Sequence, residues 1–130
     1  MFFILHILMM ATASLGILAG VSAAMFFRKK KNWLKFHKIV NSVSFGGMSV
    51  GIITAFVYVS ISRGKHIDGF HQIAGLTAFI LASITMIAGF YQFKAKNKPA
   101  VRTAHRWMGR FSLLMFLTAI TLGLKLINII

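Results

Sequence analysis

The sequence predicts an all-α integral membrane protein, a four-helix up-down-up-down bundle with both termini outside. Two observations carry this. Hydrophobic residues make up 58% of the 130 positions, including 13 Phe and 8 Met. A soluble domain of this size has too high a surface-to-volume ratio to hide that much apolar side chain, so lipid is its natural solvent. The charges, 15 Lys and Arg against one acid, Asp68, sit in short clusters between long uncharged runs. A net charge of +14 in a soluble chain would point to nucleic acid. Clustered between apolar runs, it marks membrane topology, and no nucleic-acid partner is expected.

The runs Phe2 to Phe27, Ile39 to Ser62 and Gly69 to Phe93 each pass the roughly 20 residues that cross a ~30 Å hydrocarbon core. The fourth, Phe111 to Leu124, is shorter; counted from Trp107 to Ile130 it is a full span, with Lys125 near one end able to snorkel to the interface. The expected helices are about 2–27, 34–62, 69–93 and 104–129, in one transmembrane domain over 1–130. The first run has no basic residue before it, and its positive charges follow it, so it reads as a retained helix rather than a cleaved signal. Pro99 is expected in a loop, leaving every span free of a proline kink.

Short connections make neighbouring helices antiparallel. The first connection holds Arg28, Lys29, Lys30, Lys31, Lys35 and Lys38. The third holds Lys94, Lys96, Lys98, Arg102 and Arg106, with Arg110 one turn on. The opposite face has only Arg63, Lys65 and Lys125, offset by Asp68. The positive-inside rule puts the two basic loops in the cytoplasm, as in a multi-pass protein of the cell inner membrane. Trp33 and Trp107 fall on that side as interfacial anchors. The basic face also suits contact with anionic lipid.

With no cysteine there is no disulfide, no thiolate metal site and no Cys-x-x-Cys-His haem attachment. With one acid there is no carboxylate pair for general acid–base work and no His-Glu-x-x-His. A metal or cofactor would rest on the five histidines, His6, His37, His66, His71 and His105. The spacings 6 to 37, 37 to 71 and 71 to 105 are 31, 34 and 34, one helix plus one connection each time. Every helix therefore carries one histidine near its own start. In an antiparallel bundle this puts His6 and His71 at the outer depth and His37 with His105 at the inner depth, each pair on diagonal helices. An imidazole on each side of a porphyrin gives a six-coordinate iron. Two pairs call for two non-covalent haems, since one cannot bridge a ~30 Å core.

Gly75 follows His71, and Gly109 follows His105, by four positions, one turn along the same face. A missing side chain there leaves room for a flat macrocycle. Gly16, Gly20, Gly46, Gly47, Gly51, Gly89 and Gly123 are further positions for close approach, although small residues also serve plain helix packing in membranes. Ionisable groups at membrane depth are functional candidates by default. Arg106 and Arg110 flank Gly109 and are the favoured contacts for haem propionates; Lys35, Lys38 and Arg102 are others, and Lys125 is the outer counterpart. Asn41 and Gln72 are candidates to hydrogen-bond around the ligands, with packing as the equal reading. His66 reads as a solvated loop residue; its alternatives are a part in electron exit or replacement of His71.

The stretches Leu5-His-Ile-Leu-Met-Met, Lys35-Phe-His-Lys-Ile-Val-Asn, Gly69-Phe-His-Gln-Ile-Ala-Gly-Leu and Ala104-His-Arg-Trp-Met-Gly-Arg resemble the four-helix core of the cytochrome b561 family. The resemblance implies two haem b, each with two axial histidines, His6 with His71 and His37 with His105. It also implies transmembrane electron transfer from a quinol or ascorbate-type donor to ferric iron or a partner cytochrome. Many members have six helices, whereas four spans are found here. Filled axial positions favour outer-sphere electron transfer over oxygen activation. Such a chain works as a quinol- or ascorbate-dependent oxidoreductase or as the electron-transfer subunit of a complex. An extracytoplasmic redox partner protein and a homodimer are both compatible. The competing class is a haem-free transporter or assembly protein whose histidines bind a metal or relay protons.

Overall fold

A computed structural model describes residues 1–62 and 64–130. The described residues form four α-helices and no strand: α1 Phe2–Phe26, α2 Trp33–Ile61, α3 Phe70–Tyr91 and α4 Lys98–Leu126. All four are long and apolar enough to cross a membrane. Hydrocarbon offers no partner for backbone N–H and C=O groups, so an uncharged run in lipid must satisfy them within itself. Hydroxyls inside the spans obey the same constraint. Thr12, Ser49, Thr77, Ser83, Thr118 and Thr121 each donate to the carbonyl four residues back, at 2.8 to 3.0 Å.

The first three helices match the expected spans to within two residues. The fourth starts six residues earlier than expected, and Pro99 lies in its first turn rather than in a loop. Asn97 explains this: its side chain accepts from the Ala100 amide at 3.2 Å, the bond of an N-cap. Proline is tolerated there because first-turn amides have no helical partner to lose. Lys98, Arg102, Arg106 and Arg110 consequently form one exposed stripe at four-residue intervals on α4. Asn32, at φ 69°, turns the chain into α2 in the left-handed conformation that asparagine tolerates. Arg63, expected among the outer-face charges, lies outside the described residues.

The chain divides into two compact units, Met1–His66 and Ile67–Ile130. In the first, α1 packs antiparallel along α2. Ala13 faces Gly47, Gly16 faces Ser44, and Gly20 faces Asn41, in reverse order along the two helices. A Cβ at Gly16 would run into the Ser44 side chain, and one at Gly20 into Asn41. Small residues permit this approach, which is how helices associate without a hydrophobic driving force between them. Met48 is buried, with Ala13, Ser14, Ser44 and Thr54.

In the second unit α3 packs along α4, with Ala74, Ala78, Ser112, Phe116 and Ala119 buried. Large apolar side chains such as Leu15, Val43, Phe56, Ile87 and Leu114 are exposed on the helices, the surface a lipid solvent accepts.

Candidate functional site

The four helix histidines share one arrangement. In each, the ring reaches the neighbouring helix of its own unit and donates from Nδ1 to a main-chain carbonyl. In the first unit His6 on α1 donates to Gly51 on α2 at 2.8 Å, and His37 on α2 donates to Gly20 on α1 at 2.8 Å. In the second unit His71 on α3 donates to Ala119 on α4 at 2.8 Å, and His105 on α4 donates to Thr85 on α3 at 2.9 Å. A carbonyl oxygen only accepts, so a ring nitrogen bonded to one is the nitrogen that carries the proton. Fixing one ring nitrogen on a carbonyl is how proteins orient a histidine that ligates a metal and raise its basicity.

Glycine sets how close these rings come to the opposing backbone. A Cβ at Gly89 would stand 2.8 Å from His105 Cε1, and one at Gly123 would stand 2.9 Å from His71 Cε1. Both distances are below any real contact, so these rings occupy notches that only glycine leaves open. Gly51 and Gly20 supply the acceptor carbonyls in the first unit. Gly75 and Gly109 stand differently. No described heavy atom comes within 4 Å of a Cβ at Gly75, and at Gly109 only Thr85 Cγ2 does, at 3.5 Å. Neither glycine is required by protein packing.

Asn41 stands one turn from His37. Its Nδ2 donates to the His37 carbonyl at 2.8 Å and lies 2.9 Å from His37 Nδ1. Gln72 lines a cavity of about 500 Å³ in the second unit with Asp68, His71 and Lys125. His71 and Lys125 thus open on one space. Arg106 and Arg110 are exposed, and the Arg110 guanidinium lies 4.8 Å above the Trp107 ring.

His66 is not the solvated residue that sequence suggested. It is half-buried, stacked on Phe56 at 3.9 Å between ring centroids, with Nε2 3.3 Å from Ser60 Oγ. It packs at the end of α2, apart from the shared arrangement of the other four.

Haem b fits this donor set. It takes imidazoles whose ring planes are fixed, and each unit has two, each with Nδ1 held on a carbonyl of the neighbouring helix. Among the described residues no three of His, Cys, Asp or Glu gather as a cage for a bare metal ion.

Gly89 and Gly123 were among the positions marked for close approach, and each is where a histidine ring meets the opposing helix; that the ring is what approaches, and which carbonyls accept, was beyond sequence reading. The carbonyls leave no residue-type signal, and glycine on an opposing helix looks the same as glycine used for packing.

The family model described as "Eukaryotic cytochrome b561" matches residues 1–129 of the chain. No curated protein matches. No solved structure matches.

Proposed function

Because the chain belongs to the cytochrome b561 family, a family of transmembrane haem-b electron carriers, we propose that it moves electrons across a membrane between two b haems. His6 and His71 hold one, and His37 and His105 hold the other. The observation that carries this reading is the shared Nδ1 bond. All four histidines donate it to a main-chain carbonyl, at 2.8 to 2.9 Å. The same ring nitrogen meets the same type of acceptor in all four, which is the arrangement that orients histidine ligands.

The haems, when bound, supply one-electron chemistry. The chain's own residues do the rest. The carbonyls of Gly51, Gly20, Ala119 and Thr85 fix the four ring planes. Held by two imidazoles each, the irons would have no open position and would exchange electrons only. Gly75 leaves the face beside His71 bare of described protein atoms, and Gly109 leaves only Thr85 Cγ2 near the face beside His105. Arg106, Arg110 and Lys125 supply positive charge for propionates, and Gln72 lies beside the Lys125 cavity. In this reading the bundle runs up-down-up-down with termini outside and basic loops in the cytoplasm, so the first haem would lie on the outer side and the second on the inner. The donor is a quinol or ascorbate-type reductant, and the acceptor is ferric iron or a partner cytochrome.

The visible spectrum of the purified chain tests this. Dithionite reduction should give sharp low-spin α and Soret bands and about two haems per chain, set by two histidines per iron. A folded, colourless preparation made with haem in supply would end the reading.

A further inference from the structure

The Gly51 carbonyl has more claimants than its three counterparts. It accepts from His6 Nδ1 at 2.8 Å, and the Thr54 hydroxyl donates to the same oxygen at 2.8 Å from within the same helix. The helix's own ladder adds the amide four residues on. A carbonyl oxygen has two lone pairs, so three donors share them. Thr54 is among the buried polar residues of the first unit, where water cannot replace its bond. Among the described residues no hydroxyl donates to the carbonyls of Gly20, Ala119 or Thr85, the acceptors for His37, His71 and His105.

We propose that Thr54 is a positioning residue for His6: its hydroxyl draws on the Gly51 carbonyl, weakens the bond from His6 Nδ1, and leaves that imidazole a weaker electron donor to a bound iron than the other three. The proposal rests on the reading that His6 ligates a haem. A stronger Nδ1–H···O bond makes an imidazole a better electron donor, which favours ferric over ferrous iron. The Thr54 hydroxyl therefore raises the potential of the haem that His6 holds and leaves the other haem alone. The effect is confined to one iron because only one of the four acceptors is shared with a hydroxyl.

The test compares Thr54→Val and Thr54→Ser with the unaltered full chain, haem-loaded in detergent, by spectroelectrochemical titration. Valine keeps the bulk and removes the donor, and serine keeps the donor. In Thr54→Val one of the two potentials should fall, so that the ferrous-to-ferric ratio of that haem drops about threefold at fixed potential, about 28 mV at 59 mV per tenfold. Thr54→Ser should match the unaltered chain. Unmoved potentials in Thr54→Val, or an equal fall in Thr54→Ser, would overturn the proposal.

A second readout does not need haem. With 15N-labelled histidine in the apoprotein, the His6 Nδ1 proton should move downfield in Thr54→Val as its bond strengthens. An unmoved resonance refutes the role of Thr54. A chain that takes up no haem refutes only the haem reading, and the resonance still decides on Thr54. Should Thr54→Val not accumulate, Thr54→Ala removes the same donor and is read in the same two ways.

Discussion

The His105 ring lies against the backbone of Gly89 so closely that a methyl group there would stand 2.8 Å from its Cε1. His71 stands in the same relation to Gly123, at 2.9 Å. Each ring is held between a carbonyl it bonds and a glycine it touches, both on the neighbouring helix of its own unit.

Gly89→Ala and Gly123→Ala should therefore push their rings off the opposing helix. Overpacking of this kind costs about 1–3 kcal/mol, and disturbing a group that orients a metal ligand costs about 10- to 100-fold in affinity. Titration of haem into each apoprotein variant measures this. Gly75→Ala is the contrast. Its Cβ meets no described atom, so the apoprotein should unfold as the unaltered chain does, and any loss of haem reports a macrocycle at that face. Unchanged haem affinity in Gly89→Ala would sink the ring-notch account.

Single histidine replacements should separate the two haems. His71→Ala should deplete the same haem as His6→Ala, and His105→Ala the same haem as His37→Ala, each leaving about one haem per chain, since an iron with one of two axial ligands removed is held weakly. His66→Ala should keep both, because its ring stacks on Phe56 and meets Ser60 at the end of α2, apart from the other four. Pyridine haemochrome quantitation with potentiometry reads both results. Loss of the same haem in His71→Ala and His105→Ala would refute the pairing.

How much of this was legible beforehand differs by feature. Four spans were plain because the uncharged runs are long and the charges cluster. Four of the five histidines were plain because each stands near the start of its own apolar run. The beginning of α4 was not, because Lys98, Arg102 and Arg106 made the segment look like a polar connection. The signal was present in Asn97 followed by Pro99, a capping residue and a first-turn proline, but charge outweighed it. Asn41 beside His37 was readable from the four-residue interval alone, and the structure brings its amide to 2.9 Å from Nδ1. The stacking of His66 on Phe56 was not readable, since it depends on the path of the chain after α2.

Asn97→Ala should loosen the first turn of α4 by about 1 kcal/mol, the usual worth of such a cap. Hydrogen exchange should quicken over residues 98–101 and stay unchanged over the apolar part of α4. Uniform acceleration along the helix would show that the cap governs more than its own turn.

Topology can be read with reporter fusions. Fusions after Lys30 and after Lys96 should report the cytoplasm, and a fusion after Lys65 the opposite side, in keeping with six basic residues in each of the first two regions. The reverse result would invert the placement of the two haems.

The histidine acceptors have one further consequence, for tolerance to change. A side-chain partner can be deleted by a single codon, but every amino acid brings a carbonyl. Substitution at Gly51, Gly20, Ala119 or Thr85 cannot abolish the acceptor; it can only move the helix that carries it. The orientation of all four rings is thereby entrusted to helix spacing, and mutational fragility is transferred to the small residues that set that spacing. Damage to this chain should concentrate at its smallest residues, including several far from any histidine in sequence.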